Sequence, residues 1–173
     1  MRLLVAYASK HGATEGIAEH LAATLRGSGV DAVTQRADRV DDAAAYDALV
    51  VGSAVYYGSW LREAADFVRG NHTVLAERPT WLFSSGPLGE HVTDDEEQPK
   101  EVAEFREAIS PRDHRTFLGA LDRSRLPFPE RMVAKAVRAP EGDFRDWDAI
   151  AAWAEGIARQ LQEQPAPPRG AGA

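Results

Sequence analysis

Ser9, Lys10, His11, Gly12, Ala13 and Thr14 gather two hydroxyls, a cation, an imidazole and a glycine just before an amphipathic segment. If that segment is a helix, its free N–H groups and positive end converge with the hydroxyls on one spot, as a phosphate requires. Gly12 lets the backbone close around the anion, and Thr14 stands where a first-turn hydroxyl reaches a phosphate oxygen. Taken alone, the same pattern also describes a helix capped by Ser9 and Thr14. Neither the G-x-G-x-x-G of a dinucleotide site nor the Gly-Lys-Ser/Thr of a P-loop occurs in this stretch. Two later stretches could complete a site. Gly52, Ser53, Ala54, Val55, Tyr56, Tyr57, Gly58, Ser59 and Trp60 combine small residues with aromatics that either cover a flat heterocycle or pack on a neighbouring helix. Ser84, Ser85, Gly86, Pro87, Leu88 and Gly89 can point backbone amides at ring carbonyls. The chain has no cysteine, which removes disulfides, thiol nucleophiles, iron–sulfur ligation and cysteine-type zinc sites. Redox chemistry must then come from a bound cofactor, with no metal and no side chain catalytic in its own right.

The surrounding pattern supplies the elements that position these stretches. Residues 2–8 are a continuous apolar run, as in a strand buried on both faces, and a helix with Ile17, Leu21 and Leu25 follows, ended by Gly27 and Gly29. Further strands are expected at 30–37, 47–52, 79–85 and 116–121, and helices at 61–69, 99–109, 128–138 and 144–162. The last helix carries Trp147, Ile150, Trp153, Ile157 and Leu161 on one stripe. Strands alternating with helices give right-handed parallel βαβ units. The expected fold is α/β: a doubly wound, five-stranded parallel sheet of order 2-1-3-4-5 in a three-layer sandwich. Ligands bind such sheets outside the carboxyl ends near the first and third strands, which is where 9–14, 52–60 and 84–89 fall. One domain over 1–163 is expected, with an inserted segment at 122–140 and a disordered tail at 164–173.

Ser9 to Thr14 resembles the phosphate-binding loop of flavodoxins, and the likeness in order and spacing runs over residues 1 to about 160. It narrows on residues 52–58, on 117–121 and above all on Gly142, Asp143, Phe144, Arg145, Asp146, Trp147 and Asp148, which are similar to the bacterial menaquinone-dependent protoporphyrinogen oxidase branch. The resemblance implies FMN as cofactor, with phosphate contacts from Ser9, Lys10, His11, Gly12, Ala13 and Thr14. Ring contacts are implied for Ala54, Val55, Tyr56, Tyr57 and Gly58, and for Ser85, Gly86, Pro87, Leu88 and Gly89. A quinone, a porphyrinogen or a redox protein is the implied partner. Tyr56 stands where that branch tends to carry a basic residue, and 84–89 lack its more basic character.

A net charge of −7 disfavours nucleic acid as a partner. Residues 122–140 run against it, with Arg123, Arg125, Arg131, Lys135 and Arg138 facing only Asp122 and Glu130. Phe128, Met132, Val133, Ala136 and Val137 give that segment an apolar side, a combination that rests on anionic lipid or, equally, packs on the sheet edge with its charges solvated. Arg131, Lys135 and Arg138 are the expected partner or membrane surface. Asp143, Arg145 and Asp146 are expected to cap and brace the last helix. The early apolar run is too short for a signal-peptide core, so a cytoplasmic location is expected, with peripheral contact at the inner face of the membrane. An FMN oxidoreductase is the leading function and a one-electron carrier without its own substrate the alternative. A phosphorelay receiver fails, because Ser9 and Gly52 occupy the places of its acidic residues. A flavin-free interaction module is disfavoured by the hydroxyl-rich loop.

Overall fold

The computed structural model describes residues 1–86, 98–136 and 141–163. Pro87, Leu88, Gly89, Arg138 and the tail expectation at 164–173 lie outside the described residues. β1 (Arg2–Ala8) is apolar throughout its interior because alternate side chains feed two separate cores. Leu3, Val5 and Tyr7 pack with α1 (Ala13–Gly27) and α6 (Trp147–Glu163). Leu4, Ala6 and Ala8 pack with α2 (Arg62–Gly70), α3 (His72–Glu77) and α4 (Lys100–Ile109). β2 (Asp31–Arg36), β3 (Ala48–Tyr56), β5 (Thr80–Ser85) and β6 (Asp113–Phe117) complete a parallel sheet of order β2-β1-β3-β5-β6. This is the expected doubly wound α/β fold, with a two-residue β4 (Ser59–Trp60) added antiparallel to the end of β3.

Several elements differ from expectation, and the last helix starts at Trp147, three residues later than expected. β3 runs four residues past its expected end at Gly52. Ser53 still faces Ala8 and Ala54 faces Ser85, while Val55 and Tyr56 outrun both neighbours and pair with β4 instead. The edge strand was expected at 116–121 but lies at Asp113–Phe117. An edge strand leaves polar groups in water, and Asp113 and Arg115 pair there at 2.9 Å. The apolar residues Ala120 and Leu121 instead leave the sheet as β7 (Ala120–Leu121), paired antiparallel with β8 (Gly142–Asp143). The short helix α3 was not expected at all. In the inserted segment, α5 (Phe128–Ala136) begins where expected.

Gly52 is required by packing, because a Cβ there would come within 2.0 Å of the Phe83 ring, which is fully buried. Gly52→Ala should cost about 2 kcal/mol, enough to lower the melting temperature of a domain this size by roughly 4–8 °C. A scanning calorimetry trace matching wild type would show instead that the ring has room to shift.

Candidate functional site

α1 starts on Gly12, whose φ of +90° is a left-handed conformation that glycine adopts freely. Gly12 has no side chain to cap with, and Ser9 Oγ accepts the Gly12 N–H at 3.0 Å and closes the loop on itself, with no other side-chain cap on this end among the described residues. The capping alternative for Ser9 and Thr14 is therefore not what the structure shows, and the positive end of α1 keeps its first-turn donors for another acceptor. Thr14 is buried beside them. Tyr7 donates its hydroxyl to Glu15 at 2.6 Å, tying the first turn to the end of β1. Burial, then that carboxylate, pushes the Tyr7 hydroxyl up to about 12.

A second tie comes from Arg145. Its guanidinium forms a fork on Asp143, at 2.8 and 2.6 Å, while Nη1 donates to the Ala13 carbonyl at 3.2 Å. The group also stacks over Trp147, 4.4 Å from the ring centroid. Gly16 makes room for it, since a Cβ there would meet Nη1 at 2.6 Å. Of the three residues expected to serve the last helix, Asp146 does so, accepting the Ala149 N–H at 2.9 Å. Arg145, held by Asp143, braces both the start of α1 and Trp147 at the start of α6.

These ties frame a cavity of about 640 Å³, within the range of small-molecule sites, roughly 300–1,000 Å³. One wall is Ser9, Lys10, His11, Gly12, Ala13 and Thr14; the second is Ala54, Val55, Tyr56 and Tyr57; the third is Ser85 and Gly86. Tyr57 is almost fully exposed at the tip of the β3–β4 turn, with φ of +50°. Gly58 follows in that turn at φ +72° and stands outside the lining. Trp60 belongs to the core: it packs on Phe105 at 5.4 Å between ring centroids and donates its indole N–H to Ser84 at 2.8 Å. Backbones meet closely at the third wall. A Cβ on Gly86 would lie 3.1 Å from the Val55 carbonyl, and one on Gly119 would lie 3.4 Å from the Gly86 Cα.

The fourth wall belongs to the inserted segment and its stem, a segment expected beside this end of the sheet, though none of the residues that line it was named as a cofactor contact. Gly119, Ala120, Leu121, Asp122, Arg125 and Leu126 line it, with Glu141, Gly142, Asp143 and Arg145. The only signals for it were the basic cluster at 122–140 and the glycine that interrupts the apolar run at 119. Glu130 of α5 also reaches the first wall, with Lys10 Nζ at 2.5 Å and His11 Nε2 at 2.7 Å. Hydrogen bonds from Lys10 and then His11 hold the Glu130 carboxyl below its usual range against its partial desolvation. Lys10 lies at the same time over the Tyr56 ring, 5.3 Å from its centroid. Burial, then the Glu130 charge, raises the Tyr56 hydroxyl. Arg131, exposed like Lys135, folds back onto the preceding turn, donating to the carbonyls of Arg123 at 3.1 Å, Leu126 at 3.3 Å and Ser124 at 3.4 Å. Among the described residues no group of three or more His, Asp or Glu side chains could hold a metal ion, and no helix is long and apolar enough to cross a membrane.

The profile of the flavodoxin domain family matches residues 4–148. The chain belongs to that family. As a flavodoxin-family member it is similar to protoporphyrinogen IX dehydrogenase [quinone] of Escherichia coli K12, with 24% identity over 179 aligned residues covering 95% of this chain and 98% of the relative. Solved structures of the same fold include a flavodoxin from the domain Archaea, at TM-score 0.63 and 18% identity, covering 94% of this chain and 99% of that one. Megasphaera elsdenii flavodoxin superposes at TM-score 0.60 and 18% identity, covering 91% and 98%. The rubredoxin oxygen:oxidoreductase of Desulfovibrio gigas superposes at 0.63 and 16% identity, over 96% of this chain but 37% of that one. In this flavodoxin-family chain, the uncapped start of α1, the glycine-lined third wall and the cavity's size all fit a phosphate-bearing flat heterocycle.

Proposed function

We propose that this chain holds FMN across the carboxyl ends of β1, β3 and β5 and works as an oxidoreductase, taking electrons from a porphyrinogen-like substrate and passing them to a quinone. The observation that carries the reading is the cavity itself, which joins the uncapped start of α1 to Tyr56 and Tyr57 and extends beneath the inserted segment. Bound FMN would supply the electron-accepting ring, so no side chain has to act as a nucleophile. The chain's own residues bind and orient. First-turn amides of α1 and the Thr14 hydroxyl take the phosphate, Tyr56 and Tyr57 flank the ring, and Ser85 and Gly86 close the third side of the site. A single helix terminus suits one phosphate, which favours FMN over FAD. A porphyrinogen or quinone approaches past the fourth wall, which is what distinguishes the enzyme reading from a bare carrier.

The inserted segment supplies a surface for that approach. Phe128, Met132 and Val133 are at least half exposed on α5, beside the exposed Lys135. Apolar side chains rimmed by cations rest on anionic lipid, where quinones dissolve, at about 1 kcal/mol per Lys or Arg near the charged surface. Arg138 extends the same basic run in sequence; the Arg131 guanidinium is instead occupied with the carbonyls of the preceding turn.

Purified protein reconstituted with FMN should bind it near one to one, with FMN recovered on chromatography of the released chromophore. It should then oxidise protoporphyrinogen with a menaquinone analogue, faster when anionic vesicles are present. No binding at high micromolar FMN overturns the cofactor reading. FMN binding with exchange of electrons only toward a small redox protein makes the chain a carrier.

A further inference from the structure

The loop that faces the phosphate has its own cation drawn away from it. Lys10 and His11 both close on Glu130, so the charge of Lys10 is balanced by a carboxylate before any ligand arrives. A second cation stands near the loop. Arg125, in the turn that precedes α5, reaches back over the start of α1, and its Nη1 stands 3.9 Å from where a Cβ would project from Gly12. Its Nε faces Asp122 at 3.5 Å, which leaves the Nη1 edge of the fork for an acceptor at the helix terminus. Arg125 also lines the cavity. The turn that carries it is fixed from α5 by Arg131, through the three carbonyls of Arg123, Ser124 and Leu126.

We propose that Arg125 is a ligand of the cofactor phosphate delivered by the inserted segment, and that Glu130 is the positioning residue that latches this segment onto the phosphate loop. The inference rests on the FMN reading. An arginine fork matches two phosphate oxygens at once, and a guanidinium brought from a separate segment makes retention of the phosphate depend on where that segment sits. The other carboxylates of the fourth wall leave it free to do so. Asp143 is engaged by Arg145, and Glu141 accepts the Arg123 N–H at 3.3 Å with Arg123 Nη1 at 3.9 Å.

Titration of the full-length protein with FMN and with riboflavin, followed by flavin fluorescence, separates phosphate binding from ring binding. Arg125→Ala should lose roughly ten-fold or more in FMN affinity and keep riboflavin affinity, with Arg125→Lys in between because it restores the charge without the fork. Arg125 is mostly exposed, so the apo melting temperature should stay with wild type. Glu130→Gln should weaken FMN by a smaller factor, and adding it to Arg125→Ala should cost little more, because the latch acts through the arginine. Unchanged FMN affinity in Arg125→Ala, where wild type binds FMN, overturns the inference and leaves the cofactor reading standing. Tighter FMN binding in Glu130→Gln would make Glu130 a competitor of the phosphate and overturn the latch. A wild-type protein that takes neither flavin overturns the cofactor reading and this inference with it.

Discussion

Thr14→Val is expected to weaken FMN binding by roughly ten-fold or more while leaving riboflavin affinity nearly unchanged. Thr14 is buried in the first turn of α1 and lines the cavity below Gly12. A hydroxyl donating to a phosphate dianion forms a charge-assisted bond worth about 1.5–3 kcal/mol. Valine keeps the shape and β-branching but offers a methyl group to the same oxygen, so the loss falls on the phosphate alone. Riboflavin lacks that phosphate and serves as the internal control. Equal losses for both flavins would mean that Thr14 holds the helix and not the ligand.

The second large effect is a loss of stability in acid centred on His114. Trp60 donates its indole N–H to Ser84 Oγ at 2.8 Å, so the Ser84 hydroxyl is free to donate onward to His114 Nε2, 2.9 Å away. That arrangement needs a neutral imidazole with its proton on Nδ1. Burial first, then the nearby Arg106 cation, pulls His114 down to about 4, with Asp113 opposing only partly. The folded value lies below the ordinary 6.5, so the unfolded chain binds the proton more readily between those limits. The stability that neutral His114 contributes is therefore complete above pH 6.5 and lost as pH falls toward 4, about 3 kcal/mol in all. His114→Gln retains an acceptor for Ser84 and cannot titrate. Urea melts across this window should give a flatter stability profile for the variant than for wild type. Parallel profiles would place the acid sensitivity elsewhere.

Layer order was legible in the sequence because the parallel strands are buried on both faces, and such strands announce themselves as unbroken apolar runs. Leu3 to Ala8 and Leu49 to Val51 are of this kind. The same rule misled at the sheet edge, where Asp113, His114, Arg115 and Thr116 form a strand although their sequence is polar, since among the described strands β6 pairs only with β5. It also stopped β3 too early: Val55 and Tyr56 are strand because β4 returns to pair with them across the two-residue turn Tyr57–Gly58. The glycines and hydroxyls of 9–14, 52–60 and 84–89 marked three stretches, and those of their residues that are described line one cavity only in part. The contacts of the fourth wall could not be read, because Glu130 pairs with Lys10 and His11, and Arg125 comes near Gly12, across more than a hundred residues. Local composition marked their segment as basic but gave no hint that one acidic residue in it would hold the loop.

The β7–β8 ribbon carries an architectural consequence. Ala120 faces Asp143 and Leu121 faces Gly142, so residues 122–141 leave and re-enter the fold through a single pair of rungs, clipped beneath by the Phe144 N–H on the Gly119 carbonyl at 3.1 Å. Such a stem makes the excursion a module. Closing a longer or shorter loop over it changes the chain entropy only logarithmically, by about 0.6 kcal/mol for each doubling of length. The two rungs are already antiparallel, the geometry that a two-residue turn such as Asn-Gly closes directly. A minimal domain made by that excision would keep its sheet and both cores and surrender α5, the Glu130 latch and the Asp122, Arg125, Leu126 and Glu141 part of the fourth wall, and a foreign recognition loop could be grafted at the same port.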